Sequence, residues 1–240
     1  MIAIFFALSQ EVASLKSQVN ILKKIRYANA VFYQAEFCGF PVTLVQTGVG
    51  KNVSEAIHQL STYFRIQLMV SSGFAGSVNP KVGVGDLVIG RRVLSSSRGV
   101  SEEGIPIDSA LPCDASAVDI AVALSSAGAL KFHCGDILSV DKIIRQSSLK
   151  THIGNQTSAI AVDMESFAIA ERANAMGIPF IAVRAISDGV DEDMEVGEDL
   201  VTRGGNVNIS ATVRYLLNKP HHIPYLNRLR KQTKLATNTL

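Results

Sequence analysis

The stretch Ile160–Asp188, IAVDMESFAIAERANAMGIPFIAVRAISD, decides the fold. It reads as strand, helix, strand, with carboxylates where each strand runs out. The apolar run Ala159–Val162 ends in Asp163-Met164-Glu165. A helical pattern follows in which Phe167, Ala170 and Met176 share a face, and Gly177 supplies a C-terminal stop. The run from Pro179 to Ile186 then makes a second buried strand, ending in Ser187-Asp188. Continuous apolar strands joined through a helix imply a parallel pair, and parallel α/β sheets bind ligands beyond the carboxyl ends of their strands. Glu165 and Asp188 are therefore expected to face one crevice, where two carboxylates suit acid–base chemistry.

Outward from this unit, Ile2–Phe6 reads as a first strand and Ser9 as the N-cap of a helix over Gln10–Val19. Val31–Phe37 and Pro41–Gln46, joined around Cys38-Gly39, make an antiparallel pair. Thr47–Lys51 (TGVGK) is a glycine turn into a helix near Asn52–Phe64. Leu68–Ser71 is a short buried strand running into Ser72–Gly76. Asp86–Val93 and Cys134–Ser139 are further strands, Ala115–Ala127 is a helix, and Ile143–Thr151 is helical or irregular. Ser95–Cys113 reads as a surface loop, Asp191–Gly204 as a mobile acidic segment and Gly205–Leu217 as a closing helix. The expected fold class is α/β: a single three-layer α/β/α domain over residues 1–218, with a central mixed, mainly parallel sheet. Residues 219–240 form a basic tail after Pro220, in which Leu226, Leu229, Thr233, Ala236 and Leu240 recur at roughly heptad spacing.

The 240 residues, 47% hydrophobic and with 18 glycines, suit a compact enzyme-like domain and exclude a disordered or fibrous chain. Three cysteines without CxxC spacing argue against a disulfide framework or a zinc site, and a reducing cytoplasm is the expected setting. MIAIFFAL is too short to span a bilayer and reads as a core strand. The net charge of +2 conceals an asymmetry: seven Lys and Arg and no acid follow Leu200, so the body is acidic and the tail basic. Docking of the tail on the domain or a second subunit, and peripheral contact with a lipid surface, both remain open for it. Nucleic-acid binding is not expected, because the body is acidic and the tail lacks interleaved aromatics.

Several motifs fail. Val45 stands where a phosphate-binding loop needs glycine, and Gly83-Val-Gly85 precedes a strand instead of opening a helix. The five histidines have no metal-ligand spacing, and no metal site is expected. What remains is four blocks in order: Ala7–Val12 (ALSQEV), Thr47–Lys51, Ser72–Gly85 (SGFAGSVNPKVGVG) and Val162–Asp188. Together they resemble the purine nucleoside phosphorylase/nucleosidase superfamily over roughly residues 1–217, particularly its 5′-methylthioadenosine/S-adenosylhomocysteine nucleosidase branch.

The resemblance implies cleavage of a purine–ribose bond, with a purine nucleoside as the small-molecule partner. That reaction needs a protonated leaving base, a stabilised oxocarbenium-like sugar and a delivered nucleophile. The matching positions assign Asp188 as proton donor to the purine, Glu165 as the ribose anchor and cation stabiliser, and Glu11 as the base that orients water. Met164 is expected against the sugar, Phe74-Ala75-Gly76 along the ribose, Ser187 beside the acid, and Ile143 and Ile144 against the base. The resemblance implies no cofactor and a homodimer or higher homo-oligomer.

In the phosphorylase branch, an arginine and a serine flank the glycine that matches Gly73. Here those positions are Ser71 and Phe74, which removes the phosphate clamp and favours water. Phe74 also replaces a small hydroxyl residue usual in the nucleosidases, which reshapes the ribose or 5′ side. AVDME (Ala161–Glu165) and the tail are similar to hopanoid-associated phosphorylases, which would use phosphate as co-substrate on an adenosyl lipid. A binding protein that kept the pocket without turnover is the third reading.

Overall fold

A computed structural model describes residues 1–28, 30–48, 53–96, 99–194 and 223–240. The apolar run IAIFF becomes β1 (Ile2–Phe6), an interior strand paired in parallel with β4 (Phe40–Gln46) and β5 (Leu68–Ser77). β2 (Asn20–Tyr27), β3 (Ala30–Phe37) and β4 continue that flank as an antiparallel meander. The β3–β4 turn has φ of 49° at Cys38 and 82° at Gly39, the left-handed pair that a two-residue hairpin of this kind requires. β2 was not expected. Its sequence, NILKKIRY, is exposed along nearly its whole length, so no alternating apolar face announces it. Lys23, Lys24 and Arg26 place charge along this outer edge of the sheet, which guards it against further pairing.

On the other side of β1 the sheet closes on itself. β6 (Leu87–Ser96), β8 (Phe132–Val140) and β9 (Ala159–Asp163) pair in parallel, in that order. β9 then meets β5 antiparallel, β5 meets β10 (Phe180–Asp188) in parallel, and β10 returns antiparallel to β6. The expected parallel pairing of the two signature strands is corrected by this closure. β5 lies between β9 and β10, and the two run in opposite directions. Their ends still meet, because Val162 and Asp188 both align with Gly76. The expected loop Ser95–Cys113 also contains a strand, β7 (Ser109–Pro112), hydrogen-bonded to β6. The sheet is mixed: among the described residues five pairings are parallel and five antiparallel.

Helices cover the sheet through spacings that follow their sequence. α1 (Ser9–Lys16) is shorter than expected. α2 (Val53–Tyr63) buries Val53, Ala56, Ile57 and Leu60, one stripe of a 3.6-residue period. α3 (Ala115–Ala127) keeps the expected bounds, set by Asp114 accepting from the Ala117 N–H at 2.9 Å. α4 (Ser147–Gln156) begins later than expected. α5 (Ser166–Ala175) turns Ile169, Ala170 and Ala173 inward with Phe167 packed beside them, whereas Met176, expected on the same face, is 38% exposed. The α2 and α5 stripes join Phe5, Val45, Met69 and Ile137 in the main core, each large apolar side chain contributing roughly 1.5–3 kcal/mol.

The last helix, α6 (Ile223–Thr239), packs on β10 and α1. Its inward face is the one the spacing marks: Ala236 is fully buried, and Leu229, Thr233 and Leu240 are half-buried. Thr239 Oγ1 donates to the Gly85 carbonyl at 2.9 Å. Arg228, Arg230, Lys231 and Lys234 face outward. The expected helix Gly205–Leu217 and the boundary near Asn218 lie outside the described residues. Among the described residues no helix is long and apolar enough to cross a membrane.

Candidate active site

The second half of β5 is the spine of the site. Glu11, in the first turn of α1, is 3% exposed. Its Oε2 accepts the N–H groups of Ala7 (2.9 Å) and Leu8 (2.7 Å), and its Oε1 accepts that of Phe74 (2.8 Å). A carboxylate offers about four acceptor positions, so this leaves room for about one further donor. Burial pushes the Glu11 carboxyl above its ordinary value, opposed by the charge of Arg184 and by the three N–H groups. Gly73 makes the arrangement sterically feasible: a Cβ there would lie 2.5 Å from Arg184 Nη1 and 2.6 Å from Glu11 Oε1.

Beneath Glu11 lies a buried polar cluster that the sequence reading missed. Arg184, 1% exposed, interrupts the apolar strand β10 and pairs with Asp163 at the end of β9, 2.6 Å away. Its Nη2 also donates to Ser71 Oγ (2.6 Å) and Ser166 Oγ (2.9 Å). Asp163 accepts from Ser139 Oγ at 2.5 Å and from the Ser166 N–H at 3.2 Å. The signal was present. One arginine inside an apolar strand and one aspartate closing another must find each other, since an unpaired buried charge is strongly destabilising.

Asp188 closes β10 with 5% exposure. Its Oδ1 accepts from Ser187 Oγ at 2.8 Å, and its Oδ2 lies 2.5 Å from Lys150 Nζ. Lys150, on α4 and completely buried, was also missed. It reads as an ordinary helix-surface lysine until the fold turns it inward. A Cβ on Gly76 would come within 2.9 Å of Asp188 Oδ2, so that glycine gives the carboxyl its room. Glu165 sits at the start of α5, 9% exposed. It borders a narrow void, too tight to admit a water-sized molecule, together with Ala7, Thr47, Ser71, Ser72 and Arg184.

Glu11 and Asp188 thus attach at opposite ends of Gly73–Gly76, and Glu165 lines the void beside Ser71 and Ser72 of the same strand. Met164 and Ser187 are half-buried beside their carboxylates, as are Phe74 and Gly76 on the spine, while Ala75 is buried. Ile143 is half-buried. Ile144 belongs to a separate apolar cluster with Leu138, Val140 and Val162. Small-molecule sites usually offer roughly 300–1,000 Å³; this void is closed to a water-sized molecule, so a ligand has to part these side chains. A larger cleft of about 560 Å³ lies at the amino ends of β5 and β10, between Phe64–Gln67 and Met176–Pro179, away from the carboxylates.

A family model described as Phosphorylase superfamily matches residues 1–214. The chain belongs to the phosphorylase superfamily. Among its relatives, the 5′-methylthioadenosine/S-adenosylhomocysteine nucleosidase of Staphylococcus saprophyticus is 31% identical over 80% of this chain and 88% of its own. The enzyme of the same name from Buchnera aphidicola is 29% identical over 91% and 96%. In fold, this superfamily member is similar to the Neisseria meningitidis nucleosidase of that name, solved with methylthio-immucillin-A. That match has a TM-score of 0.74 at 22% identity, covering 99% of this chain and 94% of the other. Futalosine hydrolase of Helicobacter pylori superposes with a TM-score of 0.73 at 19% identity over the same shares.

Proposed function

We propose that this protein hydrolyses the N-glycosidic bond of an adenine-type nucleoside. Superfamily membership and nucleosidase relatives aligned over most of both chains make it an enzyme that breaks a nucleoside N-glycosidic bond. The observation that carries the finer reading is that Glu11 and Asp188 flank Gly73–Gly76 of β5, while Glu165 lines the void beside Ser71 and Ser72 of the same strand. Asp188 protonates the departing purine, so the base leaves neutral. Glu165 holds the ribose hydroxyls and stabilises the positive charge that develops on the sugar. Glu11, held by three N–H groups with about one acceptor position left, takes the proton of the attacking water. These three roles ask for no cofactor.

Water is favoured over phosphate because a phosphate dianion needs uncommitted cations. Arg184 borders the void but is neutralised by Asp163 and occupied by Ser71 and Ser166. The test is incubation with 5′-methylthioadenosine, with and without phosphate. Adenine and free methylthioribose are expected at equal rates in both. A phosphate-dependent sugar 1-phosphate would reject water as the nucleophile, and absence of base release would reject the reading as a whole.

A further inference from the structure

We propose that Lys150 is the positioning residue that holds Asp188 and supplies its proton during cleavage; the inference rests on the reading of Asp188 as acid. The side chain is 0% exposed, and its nitrogen has three acceptors: Asp188 Oδ2 at 2.5 Å, the Gly189 carbonyl at 3.0 Å and the Glu192 carbonyl at 2.9 Å. Three acceptors match the three N–H bonds of an ammonium. A surface lysine gains little from such an arrangement, and a buried one is tolerated only when fully partnered. The chain has therefore committed a cation to the carboxyl that must deliver a proton.

The transfer balances. A proton passes from Lys150 Nζ to Asp188 Oδ2, and from Asp188 Oδ2 to the purine nitrogen, as the C1′–N9 bond breaks and its electron pair goes to the base. Water adds to C1′ and loses a proton to Glu11. Exchange with solvent then returns a proton to Lys150 and removes one from Glu11. The carbonyls of Gly189 and Glu192 keep the amine in place while its proton is away. The loop that carries them is fixed by the Glu192 carboxylate, which accepts the Gly189 N–H at 3.2 Å and the side-chain amide of Gln232 from α6, whose nitrogen lies 2.7 and 2.9 Å from its two oxygens.

The experiment compares Lys150→Met with wild type on 5′-methylthioadenosine and on 4-nitrophenyl riboside, whose leaving group needs no proton. With the nucleoside, kcat is expected to fall about 100-fold or more with KM within about threefold, and the loss is expected to shrink below about fivefold with the aryl riboside. Equal losses on both substrates, or none on either, overturn the proposal. If Met at this position prevents folding, Lys150→Gln gives the same comparison. In an Asp188→Asn background, Lys150→Met should cost less than about threefold more; multiplied losses overturn the proposal as well. If wild type itself releases no adenine, the functional reading has failed, not the assignment of Lys150.

Discussion

Glu11, the proposed base for water, would serve fold and chemistry with one carboxylate. Its Oε2 satisfies the Leu8 N–H at the start of α1, an orphan donor of the helix, and its Oε1 ties α1 to β5. Burial raises its proton affinity, which would bring the proposed general base closer to the pH at which it works. A base acts only when ionised, so kcat/KM should fall on the acid side with an inflection above the ordinary 4.5. Glu11→Gln should cost about 10²–10⁴-fold in kcat and abolish that limb, as a pH–rate series would record; an unchanged limb would assign it to another group. Asp188→Asn should lower kcat by a similar 10²–10⁴-fold while base affinity is largely kept, measured by calorimetry with adenine. Gly73→Ala tests the spine: its Cβ would strike both Glu11 and Arg184, so about 1–3 kcal/mol of stability and most activity should be lost.

α4 shows what an element contributes beyond its own residues, and why it was only half legible. A Cβ on Gly154 would collide with the Val78 carbonyl just past β5, so this glycine sets how closely α4 approaches the sheet. Lys150 lies one turn earlier on the same face. Gly154→Ala should therefore push the helix outward and draw Lys150 from Asp188. Thermal unfolding should fall by roughly 2–4 °C for each kcal/mol lost, with a parallel drop in turnover. An unchanged Tm would mean that the helix relaxes freely. The sequence marks α2 and α3 well because an apolar stripe or a capping aspartate is written in local residues. In α4 the buried face contains a lysine and a glycine, and no local pattern reports an ion pair with Asp188, 38 positions away. β9 and β10 were legible as strands with acidic ends, but their relative direction depends on closure of the sheet, which no local pattern encodes.

The whole molecule joins an acidic body to a basic last helix, and how that helix docks decides what the surface can do. The heptad pattern was readable, but the surface it meets was not, since β10 and α1 come together only in the fold. Because Ala236 is buried and Leu229, Thr233 and Leu240 are half-buried against the domain, this apolar side of α6 is not available for insertion into a bilayer, and Leu235 alone among the described apolar residues of α6 stands outward, 55% exposed. What remains outward is Arg228, Arg230, Lys231 and Lys234, a cationic strip without a continuous apolar companion. Each cation near an anionic surface contributes about 1 kcal/mol, and salt screens the attraction within about 8–10 Å. Contact with membranes should thus be peripheral. The protein is expected to co-sediment with phosphatidylserine vesicles at low ionic strength, to release in about 0.5 M salt and to ignore phosphatidylcholine. Arg228→Glu with Lys231→Glu should abolish the binding without changing turnover of a soluble nucleoside. Retention on neutral vesicles in high salt would show instead that α6 leaves its groove and inserts.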